Sequence, residues 1–313
     1  MEHAVRTTGL TKRFGDRFAL RDLDLLVPAG CVFGYLGPNG AGKTTTIKLV
    51  AGLWRPTAGT ATVLGLDVGQ DRDGVQGRVG YLPGDFTGYP DMTGRQLLGL
   101  LGGLRGGTDW ASVTGLAERF DLELDRRSGT LSHGHRQKVG IVQAFMGRPE
   151  LLILDEPTQG LDPLMQREFL ELLRETRAQG RTVLLSSHVL SEVEEIADVV
   201  GILDAGRLIA TRSMAQLHAD AVRRVDLRFE HEPPVEALRS AAGVRTVDVV
   251  GTTAHVTLTG SMADLLRVAA PHGVADATTH ETDLADLFLG FYDERGEVTR
   301  AEHLHEGAVG PAA

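Results

Sequence analysis

The spacing of hydrophobic residues changes character several times along the 313-residue chain. Residues 1–30 alternate apolar and polar positions around turns at Gly15-Asp16 and Pro28-Ala29-Gly30, the period-2 signal of short antiparallel strands. Residues 58–68 and 77–82 predict further short strands. Residues 31–36, 151–154 and 182–187 are instead dense apolar runs, as strands buried on both faces are. Helical spacing governs the stretch from about 86 to 148. There Leu97, Leu98, Leu100, Leu101, Leu104, Leu116, Phe120 and Leu122 recur every three or four residues, which reads as a helical insert. Residues 45–52 and 164–177 predict helices as well. Strands alternating with helices in this way imply a parallel sheet covered on both faces.

A boundary is expected near 212–224. Beyond it, residues 225–229, 245–250, 254–259 and 274–279 read as strands, and 235–242 and 262–270 as helices. The order βαββαβ is that of a ferredoxin-like α+β domain. A closing helix is expected over 284–292 and a disordered tail over 293–313. The predicted domains are therefore 1–220, 221–292 and the tail.

The chemistry is concentrated in the first domain. Residues 37–45 read Gly-Pro-Asn-Gly-Ala-Gly-Lys-Thr-Thr and fit G-x-x-x-x-G-K-[ST], the phosphate-binding loop of nucleoside triphosphatases. A polyphosphate needs many backbone N–H donors converging on it. Gly37, Gly40 and Gly42 are expected to let the backbone curl inward through φ values that a Cβ penalises. Pro38, Asn39, Ala41 and Thr45 complete the loop. Lys43 would supply positive charge to the β- and γ-phosphates, and Thr44 a hydroxyl to Mg²⁺. The apolar run before the loop and the helix after it give the strand–loop–helix setting, with the helix's positive end toward the phosphates.

Leu151-Leu152-Ile153-Leu154-Asp155-Glu156 is a Walker B strand. It buries four apolar residues and presents two carboxylates at its C-terminal end, where open α/β sheets bind ligands. Asp155 should hold Mg²⁺, and Glu156 should polarise the attacking water as general base.

With these two motifs in place, the chain resembles one family, the ATP-binding cassette (ABC) ATPases. Leu131-Ser132-His133-Gly134-His135-Arg136-Gln137 resembles the family's signature motif. Gly160-Leu161-Asp162-Pro163 resembles its D-loop, and His188 its switch histidine. Tyr81-Leu82-Pro83 leads into the Q-loop position, and Phe14 falls where an aromatic stacks on adenine. The resemblance spans about residues 5 to 210. It implies an α/β P-loop fold with a mixed sheet core, an antiparallel β subdomain and a helical insert. It also implies a head-to-tail dimer in which Ser132, His133, Gly134 and His135 contact the ATP held by the opposite subunit. Ser132 and Gly134 would lie at a helix start, whose positive end suits an anion. Two positions depart from the pattern. The family commonly has Gly and Gln where this chain has His133 and His135, and its Q-loop glutamine falls at Gly84, followed by Asp85.

Composition narrows the role. A net charge of −10 argues against a general nucleic-acid binder, which shows a basic excess. The one cysteine, Cys31, cannot form an internal disulfide, which points to the cytosol. No apolar stretch is long enough for a membrane helix, so membrane association is expected through a separate permease chain, on the inner face of the membrane. The string Gly-Tyr-Leu-Pro…Tyr-Pro-Asp-Met-Thr-Gly resembles bacterial drug- and antibiotic-export ATPases. The expected cofactors are ATP and Mg. Phe86, Tyr89, Pro90 and Met92 either dock the permease or pack within the insert. An importer ATPase and a soluble or regulatory ABC ATPase remain as alternatives. His231, His255, His272 and His280 lack metal-ligand spacing, so no metal is assigned to them.

Overall fold

The computed structural model describes residues 2–220 and 222–280, which fall into two compact units dividing between Thr211 and Arg212. The sequence reading expects the boundary within 212–224, with the first domain drawn to 220. The expected helix at 284–292 and the tail lie outside the described residues.

In the first unit, the alternating N-terminal stretch forms one antiparallel sheet. Its centre is the strand His3–Phe14, longer than the short strands expected. It pairs with Arg17–Leu23 and Leu26–Pro28 and, on its other side, with Ala58–Val63, which pairs with Leu66–Asp67. Register shifts near Leu10 and Lys12 let one long strand serve both sides. The predicted strand at 77–82 is shorter, because residues 77–78 close the helix Arg72–Arg78 and only Val79–Leu82 is strand.

The apolar runs form the second sheet. Its order is Arg207–Ser213, Val199–Asp204, Val32–Leu36, Thr182–Ser187, Leu151–Asp155 and Val79–Leu82, and the last five pair in parallel. Val32–Leu36, Leu151–Asp155 and Thr182–Ser187 are buried at every position, as a sheet covered on both faces requires. Lys43–Val50 follows the first of these and buries Thr46, Ile47, Leu49 and Val50; the Thr46 hydroxyl meets the Tyr35 hydroxyl at 3.1 Å.

The helical insert contains Gly94–Leu104, Trp110–Arg119 and His133–Phe145. Each begins at a side-chain cap. Thr93 and Gln96 form a reciprocal capping box, and Asp109 and Ser132 each accept a backbone N–H of the first turn. Leu97, Leu98, Val113, Ala117, Leu122, Val139 and Val142 make its core. Leu100 and Leu104, which fit the same helical spacing, stay exposed.

The second unit has the expected βαββαβ order: Val222–Phe229, Val235–Ser240, Val244–Val250, Thr253–Thr259, Ala263–Ala269 and Val274–His280. Its sheet runs Val244–Val250, Thr253–Thr259, Val222–Phe229, Val274–His280, with antiparallel pairing throughout. Its own core joins Val225, Leu227, Val256 and Leu258 of the sheet to Leu238 and Leu265 of the helices.

Candidate active site

Parallel strands end at a common edge, and loops leaving that edge supply the site. Here Val32–Leu36 leads into the phosphate loop, Leu151–Asp155 into Glu156, Thr182–Ser187 into His188, and Val79–Leu82 into Pro83-Gly84-Asp85. They converge on a cleft of about 800 Å³. Of the predicted residues, Phe14, Pro38, Asn39, Gly40, Gly42, Lys43, Thr44, Thr45, Asp155, Glu156 and His188 line it. Gly37 and Ala41 do not, and Ala41 is buried behind the loop.

The glycines of the loop have different constraints. Gly40 and Gly42 have φ of 83° and 111°, as expected. Gly37 does not have a positive φ, which corrects the sequence reading. Its constraint is space, because a Cβ there would sit 2.4 Å from the Leu203 carbonyl oxygen.

Three polar side chains meet at the centre. Lys43 is buried; its ammonium donates to the Gly37 carbonyl at 2.6 Å and lies 3.3 Å from Glu156 Oε1. Glu156 Oε2 lies 2.7 Å from Nδ1 of the half-exposed His188. Glu156 itself has φ of 47°, in the left-handed region that non-glycine residues rarely adopt. Next to it, Asp155 Oδ1 accepts the Ser186 hydroxyl at 2.6 Å. A Cβ on Gly84 would lie 3.6 Å from Asp155 Oδ2, so the glycine departure leaves the side of Asp155 open, and Asp85 lines the same cleft. The Tyr81 hydroxyl is buried without a partner, and burial, with the Asp155 charge adding to it, pushes it up to about 12.

At the mouth of the cleft, Phe14 is half exposed and packs edge-on to Trp54, with centroids 5.3 Å apart. Arg17, Phe18 and Lys48 line the cleft beside it and were not singled out in the sequence. Nor were Ser187, Thr158 and Glu192. Glu192 Oε2 accepts the Thr158 hydroxyl at 2.7 Å and the Ser187 hydroxyl at 3.3 Å, bracing the turn that carries His188 against the segment after Glu156. Ser and Thr immediately before and after recognised motif residues were the only available signal.

The signature residues do not reach this cleft. Ser132 caps the helix His133–Phe145, and its hydroxyl lies 2.8 Å from His135 Nδ1. Gly134 approaches the D-loop so closely that a Cβ would fall 2.4 Å from the Gly160 carbonyl oxygen. The His133 ring packs on Gly160, and Gln137 Nε2 donates to the Pro157 carbonyl at 3.0 Å. Asp162 is also outside the cleft. It caps the helix Pro163–Ala178 by accepting the Met165 N–H at 3.0 Å.

A family model described as ABC transporter matches residues 20–159. The bacitracin transport ATP-binding protein BcrA of Enterococcus faecalis is 38% identical over 221 residues, covering 70% of this chain and 72% of the relative. The chain belongs to the ABC transporter ATP-binding proteins. The daunorubicin resistance ATP-binding protein DrrA2 of Streptomyces coeruleorubidus is 35% identical over 317 residues, covering 96% of this chain and 98% of the relative, so that likeness extends through both units. A solved ATP-binding subunit of an ABC transporter superposes with a TM-score of 0.64 at 31% identity, over 69% of this chain and 92% of that one. The ABC ATPase is thus an ATP-hydrolysing enzyme with the P-loop fold of its family. Among its described residues, no helix is long and apolar enough to cross a membrane.

Proposed function

We propose that this ABC ATPase powers export of a drug- or antibiotic-like small molecule through a separate membrane subunit. The observation that carries the reading is the convergence of Lys43, Glu156 and His188 on one cleft, with Glu156 3.3 Å from Lys43 and 2.7 Å from His188. The names of the relatives, bacitracin transport and daunorubicin resistance, favour an exporter over an importer.

In this reading the phosphate loop holds ATP by its backbone N–H groups, with Lys43 on the outer phosphates. Lys43 already sits against oxygen acceptors at Gly37 and Glu156, so a phosphate oxygen replaces like with like. Glu156 is the general base for water. His188 holds the Glu156 carboxylate through Nδ1, while its Nε2 makes no hydrogen bond among the described residues and is available to the terminal phosphate. Phe14 offers its half-exposed ring to adenine.

The residues present fit Mg²⁺. Among the described residues Thr44 Oγ1 and Asp155 Oδ2 carry no hydrogen bond, both residues line the cleft, and both donors are hard oxygens. Among the described residues, no group of three or more His, Cys, Asp or Glu could hold a metal. Such a pair suits a cation that also takes phosphate and water oxygens, as Mg²⁺ beside a triphosphate does. When bound, the cation neutralises charge developing on the phosphates.

Ser132 and Gly134, outside the cleft of their own chain, are read as completing the site of a second copy, head to tail. Phe86 packs into the core of the insert, whereas Tyr89 and Pro90 are exposed at its start and are the permease-docking candidates. The test is the solution mass of the Glu156→Gln variant with and without Mg-ATP. Mass doubling with ATP supports the cross-subunit reading; a monomer at saturating ATP sinks it.

A further inference from the structure

Ser186 lies on the strand Thr182–Ser187, fully buried and in register with Asp155 of the neighbouring strand. Its hydroxyl has one proton and two lone pairs. The proton goes to Asp155 Oδ1 at 2.6 Å, the short distance of a bond to a charged acceptor. A lone pair accepts the backbone N–H of Glu156 at 3.0 Å. One side chain therefore holds both carboxylate residues, each by a different group.

The two bonds have distinct consequences. With Oδ1 taken, rotation of the Asp155 carboxyl is blocked and Oδ2 is left on the cleft side, next to Gly84. The bond to Glu156 N–H acts where the chain leaves the strand with φ of 47°. A non-glycine residue persists there only when its surroundings hold it. That conformation brings the Glu156 carboxylate to Lys43 and His188. Without the hydroxyl, the part-buried Glu156 N–H loses its acceptor and the Asp155 carboxyl its brace.

We propose that Ser186 is a positioning residue for ATP hydrolysis, orienting Asp155 toward the Mg²⁺ site and holding the Glu156 backbone in its left-handed conformation. The proposal rests on the roles given above to Asp155 and Glu156.

The test compares Ser186→Ala, which removes the hydroxyl and leaves a space, with Ser186→Cys, which fills the space with a weakly hydrogen-bonding sulfur. Two quantities are measured on the full chain. One is the affinity for a fluorescent ATP analogue in EDTA and in Mg²⁺. The other is the Mg²⁺ concentration giving half-maximal hydrolysis, together with kcat. Expected for both variants are unchanged analogue affinity in EDTA, loss of the affinity gained from Mg²⁺, a raised Mg²⁺ requirement and a kcat lower by about tenfold, the scale of one lost hydrogen bond. Wild-type behaviour of Ser186→Cys overturns the proposal in favour of packing alone. Loss of analogue binding in EDTA by both variants overturns it in favour of general collapse of the site. Asp155→Asn and Glu156→Gln, run in parallel, separate the failures. If these two hydrolyse ATP normally, the reading of the site falls. If they fail while both Ser186 variants behave as wild type, only the proposal on Ser186 falls.

Discussion

The two units use polar side chains in opposite ways. In the first, Val32–Leu36, Leu151–Asp155, Thr182–Ser187 and Val79–Leu82 run parallel, so their C-terminal ends share one edge and their last residues meet. In the second, the antiparallel sheet has no such edge. Its polar residues alternate with core residues and spread over the sheet, where they satisfy one another. Asp226 lies 2.7 Å from His255 Nδ1 and 2.9 Å from His280 Nε2. The difference teaches why a chain with charged residues in both units has its chemistry in one. Parallel order collects strand ends, and antiparallel order distributes side chains.

The comparison breaks if the first unit tolerates loss of its central cation. Lys43→Ala should weaken ATP binding by about a hundredfold, since two or more charge-assisted bonds are lost. Titration with a fluorescent ATP analogue measures it. The next effect should appear only in the second unit. Leu265→Ala empties a fully buried position and should cost that unit about 2–5 kcal/mol. Thermal unfolding should show an early loss assigned to residues 222–280 by hydrogen exchange, while the purified protein still hydrolyses ATP below that transition. A smaller effect is expected between the signature and the D-loop. Gly134→Ala places a Cβ against the Gly160 carbonyl and should destabilise the first unit by about 1–3 kcal/mol, read from its unfolding midpoint.

The smallest effect concerns acid. Hydrogen bonds from His280 and His255 hold the Asp226 carboxyl below its ordinary value of 3.8. A carboxyl depressed in the folded state binds protons more readily when unfolded. Its contribution is therefore full above about pH 3.8 and is lost as pH falls through the lower folded value. For a partly exposed group it amounts to about 0.5 kcal/mol. Asp226→Asn should flatten that part of the second unit's stability curve and leave ATP hydrolysis unchanged at neutral pH.

Much of this arrangement was legible in the sequence because it is local. Residues 37–45 carry their own loop geometry, and the apolar run at 151–154 announces the carboxylates that follow it. The βαββαβ unit was readable because strands such as Val222–Phe229 and Thr253–Thr259 alternate and Gly251 marks the hairpin between its middle strands. What escaped depends on neighbours distant in sequence. Nothing near Ser186 marks it as the partner of Asp155, because that pairing exists only once two strands lie side by side. The same holds for Thr158 on Glu192, and for Gly37, whose constraint comes from Leu203. The helix Arg72–Arg78 was read partly as strand because residues 77–82 are a short, mixed run that leaves its boundary unmarked.

The most direct test is the steady-state rate of ATP hydrolysis by the purified chain and by its Glu156→Gln variant at saturating Mg-ATP, with nucleotide binding measured on the same samples. The account predicts that the variant binds ATP as the wild type does but hydrolyses it slower by about 10²–10⁴-fold, the contribution of a general base. Equal rates would contradict it, and would remove Glu156 from the centre of the chemistry.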